Sequence, residues 1–458
     1  MFSTPGIAAL IVLIYMKPQE FVPGLEGLPL LYIMLGGAVL GLLLDLRLGY
    51  AKLDLPPQTP YVLGLLGWCT VTYLVKVGGG GLPGVIVELA IIAVIFFLIG
   101  MGIQSFRSYE VVLGSLLSVT LFVAFVCFHQ GLGPLGCAVM EGATSETLRP
   151  DGRPCHNSEE CYSGDAEPGA QYQCEKTGLF GTVSVGSGRV RYRGVLKDPN
   201  EVALTCSVAL PILMSRLQRK RSLSRGLLLA LGVLLVGATV IFTQSRGGVL
   251  VFLAVWGVYF VRSFGVKGLI GAAMLGAPLV LLGGRSGSES AESSGERSEV
   301  LYDGINMFMQ SPIFGVGYNQ YTEHTFLTAH NSYMLAISEN GFFGLFLFLC
   351  ILVLSVKTCV SCVLKYRNDP DAEVASTWGT AVLASLGGAA VGSFFLSFTY
   401  HHVLWIYFAI AAGLYVVVRR HDPSFKVGLN IKEHAVIAMA TIGFIGVMKV
   451  LVRSVGGH

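Results

Sequence analysis

The sequence predicts an all-α polytopic membrane protein with about 12–13 transmembrane helices and two large outer loops. Three observations carry that prediction. First, 53% of the 458 residues are hydrophobic and 13% are charged, where ordinary soluble domains carry about 25% charge. Second, apolar runs near the ~20 residues that cross a bilayer recur along the whole chain. Third, four separate Lys/Arg clusters fall on one side of the membrane when the runs are counted as spans. The net charge of +3 says little, because in such a chain the distribution of charge carries the information.

The apolar runs lie near 4–16, 27–45, 61–77, 84–104, 109–130, 198–216, 226–243, 248–262, 266–283, 332–356, 377–397, 400–418 and 434–452. The first is short and lacks a basic flank, so it reads as a membrane segment rather than a cleavable signal. The densest basic cluster, "RLQRKRSLSR" at 216–225, is assigned to the cytoplasm. "DLRLGYAK" (45–52), "KYR" (365–367) and "RRHDPSFK" (419–426) then fall on the same side. The chain divides into N-terminal helices 1–130, an outer loop 131–197, central helices 198–283, an outer loop 284–331 and C-terminal helices 332–458. The second loop holds "GGRSGSESAESSGERSE", whose composition predicts a mobile piece.

Cys137, Cys155, Cys161 and Cys174 lie in the first outer loop. An even number in a short polar segment outside the cytoplasm predicts two disulfides, with three connectivities open. The alternative is a four-cysteine zinc site. The spacing C-x17-C-x5-C-x12-C lacks the close pair that such sites favour. "CVSC" at 359–362 resembles a redox motif but sits at the inner end of a span, where cysteines pack helices.

No phosphate-binding loop, nucleophile elbow or H-E-x-x-H motif is present. What remains is a set of outer-side Arg and His residues. In "GRVRYRGVLKDPNEVAL", an extended strand would put Arg189, Arg191 and Arg193 on one face. Guanidiniums suit bidentate phosphate recognition; the plain alternative is a solvated strand face. Asp198 or Asn200 is expected to cap the following helix. In "FTQSRGGVLVF", Arg246 is placed at the outer C-terminus of a span, where the dipole and snorkelling favour it. Gly247 and Gly248 would permit the turn. From Glu299 to Met309, apolar residues at Val300, Leu301, Ile305 and Phe308 predict a short interfacial helix that Arg297 begins.

His330 and Asn331 stand at the mouth of the span that follows. The plain reading is a helix cap. A helix from His330 would place Tyr333, Met334, Ile337 and Gly341 on one face. Glu339, nine residues on, is half a turn out of phase and roughly 13 Å deeper. It is therefore expected to make a buried hydrogen bond in the bundle rather than orient His330. Gly341 and Gly344 are expected to let a neighbouring helix approach closely.

Together these residues offer arginines fit for phosphate and one candidate general base, all on the outer side. ATP is not available there, so group transfer needs an already activated substrate, such as a lipid-linked pyrophosphate. Arginines could hold the leaving diphosphate and a neutral imidazole could take the proton of an attacking hydroxyl.

The ordered elements "KDPNEVA", "TQSRGG", "GERSEVLYDGINMFMQSPIFGVGYNQY" and "HNSYMLAISENGFFGL" resemble the O-antigen ligase / O-antigen polymerase superfamily of bacterial membrane glycosyltransferases. The resemblance spans about 185–350. It implies transfer of a glycan from an undecaprenyl-pyrophosphate carrier to a hydroxyl acceptor on the periplasmic face of the inner membrane, in surface polysaccharide assembly. It further implies inversion, and no metal or other cofactor. By it, His330 matches the family's essential outer-loop histidine. Arg246 and Arg193 match its two arginines, with Arg191 as the fallback for Arg193. Arg297 matches the arginine opening the large outer loop's helix. Arg189, Arg191, Arg297, Asn331 and Tyr333 are the expected substrate-binding residues, and His330, Arg246 and Arg193 the catalytic ones. The cysteine-bearing insert, about 137–174, and the short loop before His330 depart from the pattern. They leave a polymerase or a protein O-oligosaccharyltransferase open beside a ligase. A lipid-linked oligosaccharide flippase is the rival from another class; few ionisable residues lie at depth for it. A scaffold presenting the cysteine loop is a third.

Overall fold

The structure, a computed structural model, describes residues 1–140, 148–164, 166–186, 188–219, 222–265, 267–268, 270, 288–369 and 372–456. It is helical nearly throughout. In order, the helices are α1 (Ser3–Met16), α2 (Leu30–Arg47), α3 (Thr59–Lys76), α4 (Leu82–Gly102), α5 (Phe106–Leu132), α6 (Pro199–Arg219), α7 (Leu223–Phe242), α8 (Arg246–Phe264), α9 (Ser288–Gln310), α10 (Tyr321–His324), α11 (Ser332–Tyr366), α12 (Glu373–Gly392), α13 (His402–His421) and α14 (Ile431–Gly456). Among the described residues, nine helices are long and apolar enough to cross a membrane: α2, α4, α5, α7, α8 and α11 to α14. The chain is a polytopic, mostly α-helical membrane protein.

Three predicted spans form helices outside that set. α1 has only 14 residues, α6 ends in Arg216 and Arg219, and α3 carries Thr59, Thr70 and Thr72. The span expected at 266–283 lies outside the described residues, apart from 267–268 and 270.

The chain separates into two compact units. The first holds 1–7, 37–111 and 285–458, and the second 8–36 and 112–284. At the centre of the first unit runs α13, in which every residue from Val403 to Val418 is buried. Its sequence is apolar all round, as a core helix requires. Gly100 of α4 opens the way to it, since a Cβ there would lie 3.2 Å from that of Ala412.

In the second unit α6 packs against α7 and α8. A Cβ on Gly248 would stand 2.3 Å from the Cβ of Ala203, so this glycine sets the approach of α8 to α6. The first outer loop is not wholly irregular. It builds an antiparallel sheet, order β2-β1-β3, from β1 (Leu135–Met140), β2 (Leu148–Pro154) and β3 (Tyr172–Lys176). Disulfides Cys137–Cys161 and Cys155–Cys174 tie it together. With Val139 and Tyr172, three of these cysteines form its small core. So small a sheet buries little, and covalent ties replace the missing core.

Two expectations for the second outer loop need correction. Its start, 284–287, lies outside the described residues, but from Ser288 the polar stretch is helical, and α9 runs unbroken to Gln310. Arg297 therefore lies inside a helix rather than beginning one. Further on, Gly341 does not serve helix–helix approach. It breaks α11, with φ 63° and ψ −163°. Residues 311–317 fill the break. The carbonyls of Ser338 and Glu339 accept from the N–H groups of Val316 and Gly317, each at 2.9 Å, and Phe342 N–H donates to the Pro312 carbonyl at 2.8 Å. Trp68 Nε1 donates to the Asn340 carbonyl at 2.8 Å, and its ring stacks on Phe314. Non-helical backbone inside a membrane bundle persists only where its polar groups are satisfied in this way.

Candidate functional site

In the second unit, the stretch 188–193 is not a regular strand. Arg189 makes one isolated bridge with Val185, and the Val190 N–H donates to the carbonyl of Phe242 at the end of α7. The expected common face of three arginines is therefore absent. Val190 and Tyr192 are buried, and so are Arg189 and Arg191, at 7% and 6% exposure. Buried guanidiniums need acceptors, and the backbone supplies them. Arg189 Nε donates to the Thr243 carbonyl at 3.1 Å and Arg191 Nε to that of Val183 at 3.0 Å. Arg193 is less buried and gathers the carbonyls of Glu20, Phe180 and Gly181.

The DPN element caps α6. Asp198 and Glu201 form a reciprocal box: Asp198 N–H donates to Glu201 Oε2 at 3.2 Å, and the Glu201 N–H returns to the Asp198 carbonyl at 3.0 Å. Asn200 does more than the sequence reading gave it. Its Nδ2 is held by Asp198 Oδ1 at 2.8 Å, which turns Oδ1 towards Ser245 Oγ at 2.6 Å and Arg189 Nη2 at 3.5 Å. Ser245 in turn caps α8, accepting from the Gly248 N–H at 3.0 Å. One amide thus joins the arginine stretch, the DPN turn and the start of α8.

Arg246 is placed differently from expectation. The turn is made before the glycines, at Gln244, whose φ is 52°. Arg246 is then the first residue of α8 and is exposed. At a helix N-terminus the dipole disfavours a cation and favours an anion. Dipole stabilisation therefore cannot account for this arginine. An exposed guanidinium at a helix N-terminus is suited to phosphate.

In the first unit, α11 begins at Ser332, so His330 precedes the helix. It has φ 45° and is partly exposed. Asn331 is the cap: its Oδ1 accepts from the Met334 N–H at 2.9 Å, and its Nδ2 donates to the Phe394 carbonyl at 3.3 Å. Tyr333 is buried and donates to the Ala390 carbonyl at 2.8 Å. Both side chains are engaged within the fold. The segment between α12 and α13 is laced to the same place. Ser332 N–H donates to the Ser393 carbonyl at 2.7 Å, and Ser332 Oγ donates to the Leu396 carbonyl at 2.6 Å and accepts from the Phe398 N–H at 2.8 Å. Thr399 Oγ1 donates to the Ser332 carbonyl at 2.7 Å. His401 and His402 end this segment. The span expected at 400–418 took both residues in, and no role was read for them.

Arg297 lies on α9, which packs on α11. α9 meets α11 where Ser338 Oγ donates to the Gly304 carbonyl, and a Cβ on Gly304 would clash with Tyr321 Oη and Met334 Cγ. Beyond the end of α9, the Phe342 N–H donates to the Pro312 carbonyl. On α9, burial and then Glu299 push the Asp303 carboxyl above its ordinary range. Glu339 is 2% exposed. Its Oε1 accepts from the Tyr321 N–H at 3.2 Å, a bond to the α10 turn rather than to another long helix. Residues 332–340 stay helical, so Glu339 remains a full nine positions from His330.

The O-antigen ligase family model matches residues 205–349, about a third of the chain. Over these residues the chain is similar to the O-antigen ligase family. The matched ligase domain takes in Arg246, Arg297, His330, Asn331 and Tyr333. It leaves out the 189–193 arginines, the DPN turn and the disulfide-tied sheet. A search of curated proteins finds no match to the chain. The ligase domain supports a glycosyl-transfer role in surface polysaccharide assembly.

Proposed function

We propose that this protein transfers a glycan from an undecaprenyl-pyrophosphate carrier to a hydroxyl acceptor, on the periplasmic side of the bacterial inner membrane. The observation that carries the reading is His330, inside the matched ligase domain, held partly exposed in front of a capped helix. In the proposed reaction, His330 takes the hydroxyl proton and the hydroxyl oxygen bonds to the anomeric carbon. The carbon–diphosphate bond breaks, and the diphosphate leaves with the electron pair. Attack opposite the leaving group inverts the anomeric centre. A diphosphate is a good leaving group, so the step requires neither a metal nor a covalent enzyme intermediate.

Arg246 is the proposed ligand of the diphosphate, supported by its exposure at a helix N-terminus. Arg297, inside the matched ligase domain, is the proposed second cation on the substrate. Arg189, Arg191 and Arg193 are reassigned. Their guanidinium donors go to backbone carbonyls: Arg189 holds Thr243, just before α8, while Arg191 and Arg193 hold the loop segments at Val183, Phe180, Gly181 and Glu20. Asn331 and Tyr333 position the His330 backbone.

His330→Ala should abolish glycan transfer while the protein accumulates in the membrane as wild type. Arg246→Ala should cut turnover at least about a hundredfold, as loss of a preorganised charge contact does, with Arg246→Lys intermediate. Surface polysaccharide of normal length and attachment in the His330→Ala strain would sink the assignment. Loss of chain length in a deletion strain indicates a polymerase. Intact but unattached polymer indicates a ligase, to lipid or to protein.

A further inference from the structure

The disulfide-tied sheet lies outside the matched domain, yet hydrogen bonds lead from it to the start of α8. Glu175 stands on β3 beside Cys174, whose disulfide to Cys155 anchors the strand. Glu175 is 4% exposed. One of its oxygens, Oε2, accepts from Ser184 Oγ and, at 3.2 Å, from the Gly188 N–H. The strand backbone meets the same serine. Lys176 N–H donates to Ser184 Oγ at 2.8 Å, and the Ser184 N–H returns to the Lys176 carbonyl at 3.0 Å.

What Glu175 grips is the turn that carries Arg189. Val185 and Arg189 exchange both backbone hydrogen bonds, at 3.0 and 3.1 Å. Gly186 and Gly188 stand at φ 52° and 85°, and two such glycines specify a turn weakly without an outside hold. Beyond the turn, Arg189 Nε donates to the Thr243 carbonyl and the Val190 N–H to that of Phe242. These carbonyls close the end of α7, and Arg246 is three residues on from Thr243. Arg189 Nη2 and Ser245 Oγ also share Asn200 Oδ1. Hydrogen bonds thus run without a gap from β3 to the first turn of α8. A buried carboxylate costs more to place than a neutral acceptor, and a three-stranded sheet by itself does not call for one.

We propose that the cysteine-bearing sheet is the brace of the diphosphate site, with Glu175 as the positioning residue that sets Arg246. The inference rests on the reading of Arg246 as the diphosphate ligand. Such a brace acts on the donor alone. It fixes where the cation stands before the lipid-linked pyrophosphate arrives, and it does nothing for the acceptor hydroxyl. The insert that departs from the family pattern thereby serves the transfer reaction.

The test uses the full-length protein in nanodiscs, with undecaprenyl pyrophosphate as the binding probe. Glu175→Ala leaves two donors unpaired and should weaken binding of the probe about tenfold. Glu175→Gln, which keeps an acceptor oxygen at the same reach, should recover most of that. With the acceptor identified in the deletion strain, donor KM should rise in step while acceptor KM stays at the wild-type value. In an Arg246→Ala background, Glu175→Ala should weaken the probe no further, because a residue that acts through Arg246 has nothing left to set. Wild-type probe affinity in Glu175→Ala overturns the proposal. So does an equal further loss in the Arg246→Ala background, or an acceptor KM raised as far as the donor KM. If Glu175→Ala does not fold, wild-type protein reduced to ten free thiols decides: weaker probe binding, restored on reoxidation, supports the brace, and unchanged binding overturns it. Arg246→Ala separates the two readings. Wild-type probe affinity in Arg246→Ala removes the diphosphate reading of Arg246 and the brace with it; a weakened Arg246→Ala beside a normal Glu175→Ala removes only the brace.

Discussion

At the scale of single residues, a polar group's meaning depended on what its neighbours left it to do. Arg246 and Arg193 are the same side chain in equally suggestive motifs. One is exposed at a helix start, and the other spends its donors on three carbonyls. Asn200 shows the opposite change. It reads as a cap, and folding makes it the acceptor that fixes Ser245, which is 2% exposed, and through it the first turn of α8. Asn200→Ala would leave that buried hydroxyl unsatisfied, at about 1–3 kcal/mol. It should lower the thermal midpoint of the purified protein and the turnover together. Asn200→Asp, which keeps the acceptor, should lose less. Equal midpoints for wild type and Asn200→Ala would show that the bridge is idle.

At the scale of elements, most helix ends fall close to expectation, because apolar length and basic flanks are local properties, while α11 runs on to Tyr366 and α9 starts as early as Ser288. The break in α11 was not legible. A glycine inside an apolar run reads as a packing surface, and only the tertiary partner shows that its φ is 63°. The partner is a backbone segment, and its approach leaves no room. A Cβ on Gly341 would stand 2.1 Å from the Ile313 carbonyl oxygen. Gly341→Ala combines that clash with a left-handed backbone, so it should cost at least about 2 kcal/mol. It should also reduce folded yield in the membrane. Gly36→Ala, where nothing lies within 4 Å, should be near neutral. A folded, active Gly341→Ala protein with an unchanged midpoint would mean that the break is dispensable.

For the molecule as a whole, the membrane assignment and the cysteine chemistry depend on each other. Cysteines paired in one loop require that loop to meet an oxidising compartment, while the six free cysteines are buried in helices. Mass-tagging the denatured protein should therefore count six thiols before reduction and all ten after it. In cells lacking extracytoplasmic oxidation, ten should be counted without reductant. Ten thiols in protein from oxidising cells would contradict both the disulfides and the sidedness.

By itself the sequence determined the class of molecule, the places of most of its described helices, the presence of two disulfides and the family that its central third resembles. Each of these rests on composition, period or ordered motifs, which survive without knowledge of the partners. Tertiary structure alone decided which cysteines pair, that α9 is helical from Ser288, that α11 breaks, and that Asn200 reaches Ser245. It also decided that the 393–401 segment is laced to the residues beside His330. These are pairings between groups far apart in the chain, and the free energy that selects them comes from burying polar atoms only where each finds a partner.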